Sequence, residues 1–514
     1  MILPWLIVIP AAGAVAAWLA NRVSTALCRW TALAAMGGQL ALVVYAWAAH
    51  AEAWHVGGPG VPLRFAAAWI PPLHVSFLLM MDGLSLLMVA LTAVLGILSV
   101  AASWRSVVRW PGLFHFNLLW SFAAITGVFL AEDLFLFYVF WEMMLIPLYL
   151  LIRIWGHERR RMASMKFFLF TQTGGLLLLG ILALHFLHAR ATGVYTFRFP
   201  ELAGTAMSPA AATWLMLAFF AAFAVKLPAF GVHTWLADAH TQAPVAGSVD
   251  LAGLVLKVGA YGMLRFVVTL FPGAAADMAP YAMALGVAGI VYGALLATAQ
   301  SDLKRLVAYS SISHMGFVLL GVFSWDALAM QGTIIVIVAH GISTGALFVL
   351  VGMLHERLGT HDMRRMGGLW AAAPGIGGAA MVLALATLGL PGLGNFVGEW
   401  LVLQGTWRAS PAFAAIGTVG FVLSTVYALR MVQLVFFGPP APERQRLAGM
   451  SFRETAMMAG AIALLLWLGL YPRTFLRAGG PAVTALRDES LRRAREPRHP
   501  APAEAAPPGE GAPP

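Results

Sequence analysis

The stretch "AFAVKLPAFGVHTWLADAHTQAP", residues 222–244, is mostly apolar, yet it holds Lys226 two positions before Pro228. In a hydrocarbon environment both are penalised. Proline removes a backbone donor and clashes with the carbonyl one turn back, so the helix breaks and leaves polar groups free. The pattern recurs in "LGLPGLGNFVGEW", residues 388–400: each copy has Leu-Pro with a glycine three residues after the proline, Pro228 with Gly231 and Pro391 with Gly394. Each then runs to a tryptophan, Trp235 or Trp400. Paired breaks with charges nearby are the mark of discontinuous membrane helices that line a polar interior, where an isolated proline would be an ordinary kink.

The rest of the chain agrees with a membrane setting. Of its 514 residues, 60% are hydrophobic and 11% charged, outside the range of soluble domains. Apolar windows of roughly 20 residues, enough to cross ~30 Å of hydrocarbon, begin near Ile2, Leu27, Phe77, Phe114, Leu134, Phe167, Ala211, Val245, Tyr281, Arg305, Gly332, Pro374, Ala412 and Glu454. They are continuous rather than alternating, which excludes a β-barrel. The fold class is therefore all-α, a polytopic membrane protein of about 14 transmembrane helices. The first window reads as a spanning helix rather than a cleaved leader, because its first charge, Arg22, follows the apolar run.

A formal charge of +10 would suggest nucleic acid in a soluble protein. Here most Lys and Arg fall in loops after odd-numbered helices, such as "HERRRMASMK" and "SDLKR". That bias makes those loops cytoplasmic, puts both termini outside and removes the case for nucleic acid. The arginines after Arg473 run against it, and late charges weigh less. The single cysteine, Cys28, rules out an internal disulfide or a self-held iron–sulfur cluster. With no dinucleotide fingerprint or P-loop, NADH, flavin and ATP are not expected on this chain. Haem b would need facing axial histidines, for which there is no repeated spacing. His233, Asp238 and His240 lack the spacing of helical metal ligands and read as polar loop residues, so no metal is expected.

The two breaks suggest internal repeats, and "TQTGGLLLLG" (171–180) resembles "GISTGALFVLVG" (341–352) ahead of each. The resulting plan has N-terminal helices 1–3 over residues 1–112, a first five-helix repeat over 113–270 and a second over 278–437. A final helix covers 452–472, and 473–514 form a tail expected to be disordered. With the break on the fourth helix of each five-helix unit (helices 4–8 and 9–13), the copies are inverted across the membrane.

Four ionisable residues fall at or near mid-helix: Glu142, Lys226, Lys257 and Glu399. Each costs about 2.5–3.5 kcal/mol at the bilayer centre if unpaired, so all must face protein or water. Static salt bridges between helices would satisfy that cost. A proton relay satisfies it too and favours lysine, which releases a proton far more readily than arginine; none of the four sites holds arginine. The break is expected to give the Lys226 ammonium water and freed carbonyls to bind. His314 and His340, flanked by small or hydroxylated residues, are candidate intermediate stations. Asp250, seven residues before Lys257 and so on one α-helical face with it, is an auxiliary candidate.

Together "FYVFWEMMLIPLYLLI" (137–152), "MKFFLFTQ" (165–172), "HTWLADAHTQAPVAGSVDLAGLVLKVGAYGMLRF" (233–266), "SDLKRLVAYSSISHMGF" (301–317), "HGISTGALF" (340–348), "RRMGGLW" (364–370) and "LGLPGLGNFVGEW" resemble the subunit M family of bacterial NADH:quinone oxidoreductase, respiratory complex I. The match covers roughly residues 75–440; Ala237 replaces the usual proline of its "LPDAH" motif. The resemblance implies an antiporter-like subunit of the membrane arm in the bacterial inner membrane, beside other such subunits. NADH, FMN, iron–sulfur clusters and quinone would belong to partner subunits. It also implies roles: Glu142 and Lys226 as a pair, Lys257 as central carrier, Glu399 as terminal carrier, and His340 lining the path between the last two. A multi-subunit cation/proton antiporter or a membrane-bound hydrogenase is the alternative setting; the helix-5 motif and "GNFVGEW" favour complex I.

Overall fold

The computed structural model describes residues 2–50, 63–438 and 447–495. Among these, thirteen helical spans are long and apolar enough to cross a membrane. They are α1 (Ile2–Ala20), α2 (Thr25–Ala49), α3 (Gly83–Ser106), α4 (Pro111–Leu130), α5 (Leu134–Trp155), α6 (Arg160–Thr192), α7 (Pro209–Lys226), α8 (Val245–Leu270), α9 (Pro272–Ala299), α10 (Leu303–Phe323), α11 (Ala327–Leu358), α13 (Pro411–Phe436) and α14 (Phe452–Leu470). Between α11 and α13, α12 is made of two shorter pieces, Pro374–Thr387 and Gly394–Ala409. The polytopic all-α reading holds for the spans.

Both breaks fall at the Leu-Pro positions. Helix α7 stops at Lys226 and resumes as Thr234–Gln242, and the gap in α12 contains Pro391. At the first break the freed carbonyl of Val225 accepts the indole N–H of Trp235 at 3.0 Å. The indole therefore takes a backbone oxygen expected for the Lys226 ammonium.

Helices α8 and α11 are buried along their whole apolar length, and α10 nearly so. They form the buried centre of the bundle. Their exclusion from lipid is what lets them carry ionisable side chains.

Three expectations need correction. The third span does not begin at Phe77: Leu63–Ile70 (β1) and Val75–Met81 (β2) form an antiparallel hairpin in register Leu63↔Met81 to Ala68↔Ser76. Pro71 and Pro72 lie in a short 3-10 turn, Pro71–Leu73, that joins the two strands, and the Asp82 carboxylate accepts the Ser85 amide to start α3 at Gly83. Second, residues 473–495 are ordered as α15 (Arg473–Arg495), which buries Phe475, Ala478, Val483 and Ser490 on one face. Arginines and Glu489 occupy the rest, with Glu489 bridging Arg492 and Arg493. This is amphipathic spacing that mean composition hides; the remainder of the expected disordered tail, 496–514, lies outside the described residues. Third, α8 is not a uniform α-helix, with consequences for Lys257.

Candidate functional site

Lys257 stands in an α-helical turn between two π-helical turns, Leu251–Val255 and Met263–Val267. The first π turn offers the carbonyl of Ala252, five residues back, to the Lys257 ammonium at 2.5 Å. Such turns are rare and concentrate at functional sites. Across the interface, His340 on α11 places Nδ1 2.6 Å from Lys257 Nζ. With the lysine donating to Nδ1, a neutral His340 carries its hydrogen on Nε2, and that nitrogen is buried with no partner among the described residues. No carboxylate within 4.0 Å pairs with Lys257 among the described residues.

The row continues through α10. The His314 ring lies 5.2 Å from that of His340, its Nδ1 is 2.6 Å from Glu399 Oε1 on the second piece of α12, and its Nε2 is 3.2 Å from the Tyr427 hydroxyl on α13. Lys257, His340, His314 and Glu399 are all buried. Four groups able to take or release a proton thus run in contact from α8 to α12, each on a different helix.

A family model described as "NADH:quinone oxidoreductase/Mrp antiporter, TM" matches residues 131–424, the segment that holds all of these groups. NADH-quinone oxidoreductase subunit M of Pseudomonas aeruginosa is 51% identical over 486 residues, covering 93% of this chain and 95% of the relative. Its counterpart in Escherichia coli K12 is 48% identical over 493 residues, covering 94% and 97%. The chain belongs to the NADH-quinone oxidoreductase subunit M family. A chain of respiratory complex I from Thermus thermophilus superposes with TM-score 0.85 at 31% identity, covering 95% of this chain and all of that one. A chain of the Mrp complex from Dietzia, at 23% identity and TM-score 0.83 over 95% and 98%, shares the fold.

The first lysine of this family member is held differently. Lys226 is buried at the end of its half-helix with Nζ 4.8 Å from the centroid of the Trp141 ring, a cation–π contact. Glu142 is its electrostatic partner, with no direct ion pair between them among the described residues, and Tyr138 also interacts with that carboxylate. Glu142 is half-buried. Gly174, where α6 has a local turn, lets helix and acid approach: a methyl there would meet Glu142 Oε1 at 2.6 Å and Trp141 Nε1 at 2.7 Å. Gly259, two residues after Lys257, does the same for the α7 break, since a methyl would fall 2.6 Å from the Leu227 amide nitrogen. The break therefore packs directly on the helix of the second lysine.

Asp250 does not share a face with Lys257. Its carboxylate accepts the Ser121 hydroxyl of α4 at 2.5 Å, whereas Lys257 meets α11, because the intervening π turn changes the phase that α-helical spacing assumes. Asp250 is wholly buried. Nor is His240 a polar loop residue. It lies on Thr234–Gln242, fully buried and stacked 4.7 Å from Phe348, with neither ring nitrogen partnered among the described residues. It interacts electrostatically with both Lys257 and Lys304. Asp238 on the same helix pairs with Lys166 at 2.7 Å and Arg305 at 3.2 Å.

Lys304 was hidden in "SDLKR", which reads as a topogenic loop; in the fold it is buried and donates to the Ala243 carbonyl. The sequence signal was its position just inside an apolar run. Arg265, on α8 like Lys257, lies near the end of the apolar run of that helix. It forms a buried ion pair with Asp82 at 2.6 Å, the static arrangement that Lys257 lacks.

Proposed function

We propose that this chain is a proton-translocating membrane-arm subunit of an NADH:quinone oxidoreductase, in which partner subunits carry the redox centres and quinone site. It resides in a bacterial inner membrane with both termini outward, contacts other antiporter-like subunits, and contributes proton transfer rather than electron transfer. The observation that carries this is the buried row Lys257–His340–His314–Glu399, with contacts of 2.6 Å at either end.

Each member has a distinct part. Lys257 gives a proton to the neutral His340 ring, helped by the fact that no carboxylate holds its ammonium in place. The His340 ring packs 5.2 Å from that of His314, which is hydrogen-bonded to the acceptor Glu399 through Nδ1 and to the Tyr427 hydroxyl through Nε2. The Glu142–Lys226 pair acts on Lys257 through charge: while Glu142 is ionised the Lys226 ammonium is stabilised, and loss of that counter-charge raises the positive potential on the proton held nearby. The two inverted five-helix units supply one break to each end of the row, keeping polar backbone and room for water at membrane depth.

The test is co-purification and transport. Association with flavin and iron–sulfur subunits, NADH:quinone activity, and proton uptake into proteoliposomes that Lys257→Ala abolishes are the expected results. Sodium-dependent exchange by an assembly without NADH oxidation would instead assign the chain to the cation/proton antiporters that share its fold.

A further inference from the structure

Three histidines that the proton row does not use meet at one end of the helix bundle. His157 lies in the turn between α5 and α6, His355 in the last turn of α11, and His361 in the segment just after it. Each can offer a ring nitrogen such that the three nitrogens lie within 4.8 Å of one another. The rings of His355 and His361 are stacked at 4.1 Å, and His157 stands edge-on to both at 5.4 and 5.6 Å. All three are half-buried and open to solvent, while His355 Nδ1 is buried with no partner among the described residues.

The backbone of the cluster is fixed from several sides. The His157 amide donates to the Gln242 carbonyl at 2.9 Å, the His361 carbonyl accepts the Leu303 amide at 2.9 Å, and the Gly359 amide closes on the His355 carbonyl at 2.8 Å. His157 comes from a segment far in sequence from His355 and His361, which flank the end of α11. From these anchors the chain leads inward, since Gln242 ends the helix that carries His240 and Leu303 precedes Lys304.

We propose that His157, His355 and His361 form a binding site for a zinc-class divalent transition metal, and that occupying it impedes proton access to the buried row. Three imidazoles with water in the fourth position are a tetrahedral zinc set, with nitrogens roughly 3.3 Å apart when bonds are about 2.0–2.1 Å. Modest ring rotations close the gap from the present arrangement. Nitrogen donors select such metals over magnesium or calcium, which prefer oxygen. A neutral imidazole keeps one ring nitrogen lone pair free for a metal. The nearby Lys304 charge opposes a cation, so the site suits reversible binding at micromolar metal rather than a permanent structural ion.

Metal binding stands on the cluster alone, whereas its effect on transport rests on the function proposed above. The experiment uses the purified whole complex, stripped with chelator and brought to equilibrium by dialysis against micromolar zinc chloride, with metal analysis of the protein and buffer chambers giving the bound zinc. Wild type should bind one more zinc per complex than His157→Gln, His355→Gln or His361→Gln. Equal zinc content in wild type and variants overturns the site. Each variant removes one of three ligands, so any one that assembles tests the claim. Zinc titration of NADH-driven proton uptake in proteoliposomes should then give an inhibition midpoint at least tenfold higher for the variants. Loss of the bound zinc with an unchanged midpoint keeps the site and overturns its place at the mouth of the path.

Discussion

Lys226 and Lys257 are both enclosed, on adjacent helices, and their surroundings differ in kind. Lys226 ends a half-helix over the Trp141 ring, with the half-buried Glu142 as its charge partner. Lys257 sits mid-helix between π turns against a carbonyl and an imidazole. An acid near the first lysine favours its charged form; nothing of opposite charge anchors the second. On the function proposed above the first site holds and shifts charge and the second hands a proton on; the contacts from Lys257 continue through His340 and His314 to Glu399. Arg265, eight residues along α8, supplies the third case: an arginine clamped to Asp82, suited to fixing α8 against α3.

The most severe break in this contrast is removal of a proton carrier. Lys257→Ala and Glu399→Ala should each lower proton uptake per assembled complex by about a hundredfold, within the range of a lost acid–base group. Glu142→Ala acts only through charge and should cost about tenfold, equivalent to about 1.4 kcal/mol, with Glu142→Asp retaining more; normal pumping by the alanine variant would make this acid a dispensable partner. Pro228→Ala and Pro391→Ala restore a backbone donor and tighten the breaks, and a loss of about threefold in uptake rate is expected for each, roughly 0.6 kcal/mol. Wild-type rates in both would make the breaks incidental kinks. Asp82→Asn should change pumping per assembled complex least, by less than about twofold, while reducing thermal stability, because an uncompensated buried arginine costs about 3–5 kcal/mol. A pumping defect as large as that of Glu142→Ala would show that the clamp belongs to the relay.

Much of this was legible before any coordinates, and for a physical reason. Charges and prolines are so costly in hydrocarbon that Glu142, Lys226, Lys257, Glu399, Pro228 and Pro391 announce themselves against an apolar background. Residues whose environment depends on tertiary phase did not. Asp250 was placed with Lys257 by α-helical spacing that a π turn invalidates. His240 and Lys304 border polar sequence, and only the docking of Thr234–Gln242 and α10 makes them interior. The β1–β2 hairpin is as apolar as a span, and its two prolines and the Asp82 cap were the available signals. In α15 the amphipathic period was present, but the arginines dominate the composition.

The central claim, that Lys257 moves protons rather than merely carrying charge, is tested most directly by Lys257→Arg. Arginine keeps the positive charge and hardly releases a proton. The measurement is NADH-driven proton uptake into proteoliposomes, normalised to assembled complex, for Lys257→Arg beside Lys257→Ala and wild type. Transfer through Lys257 predicts that the arginine variant pumps almost as poorly as the alanine variant; pumping near the wild-type rate would contradict it and make Lys257 a fixed charge.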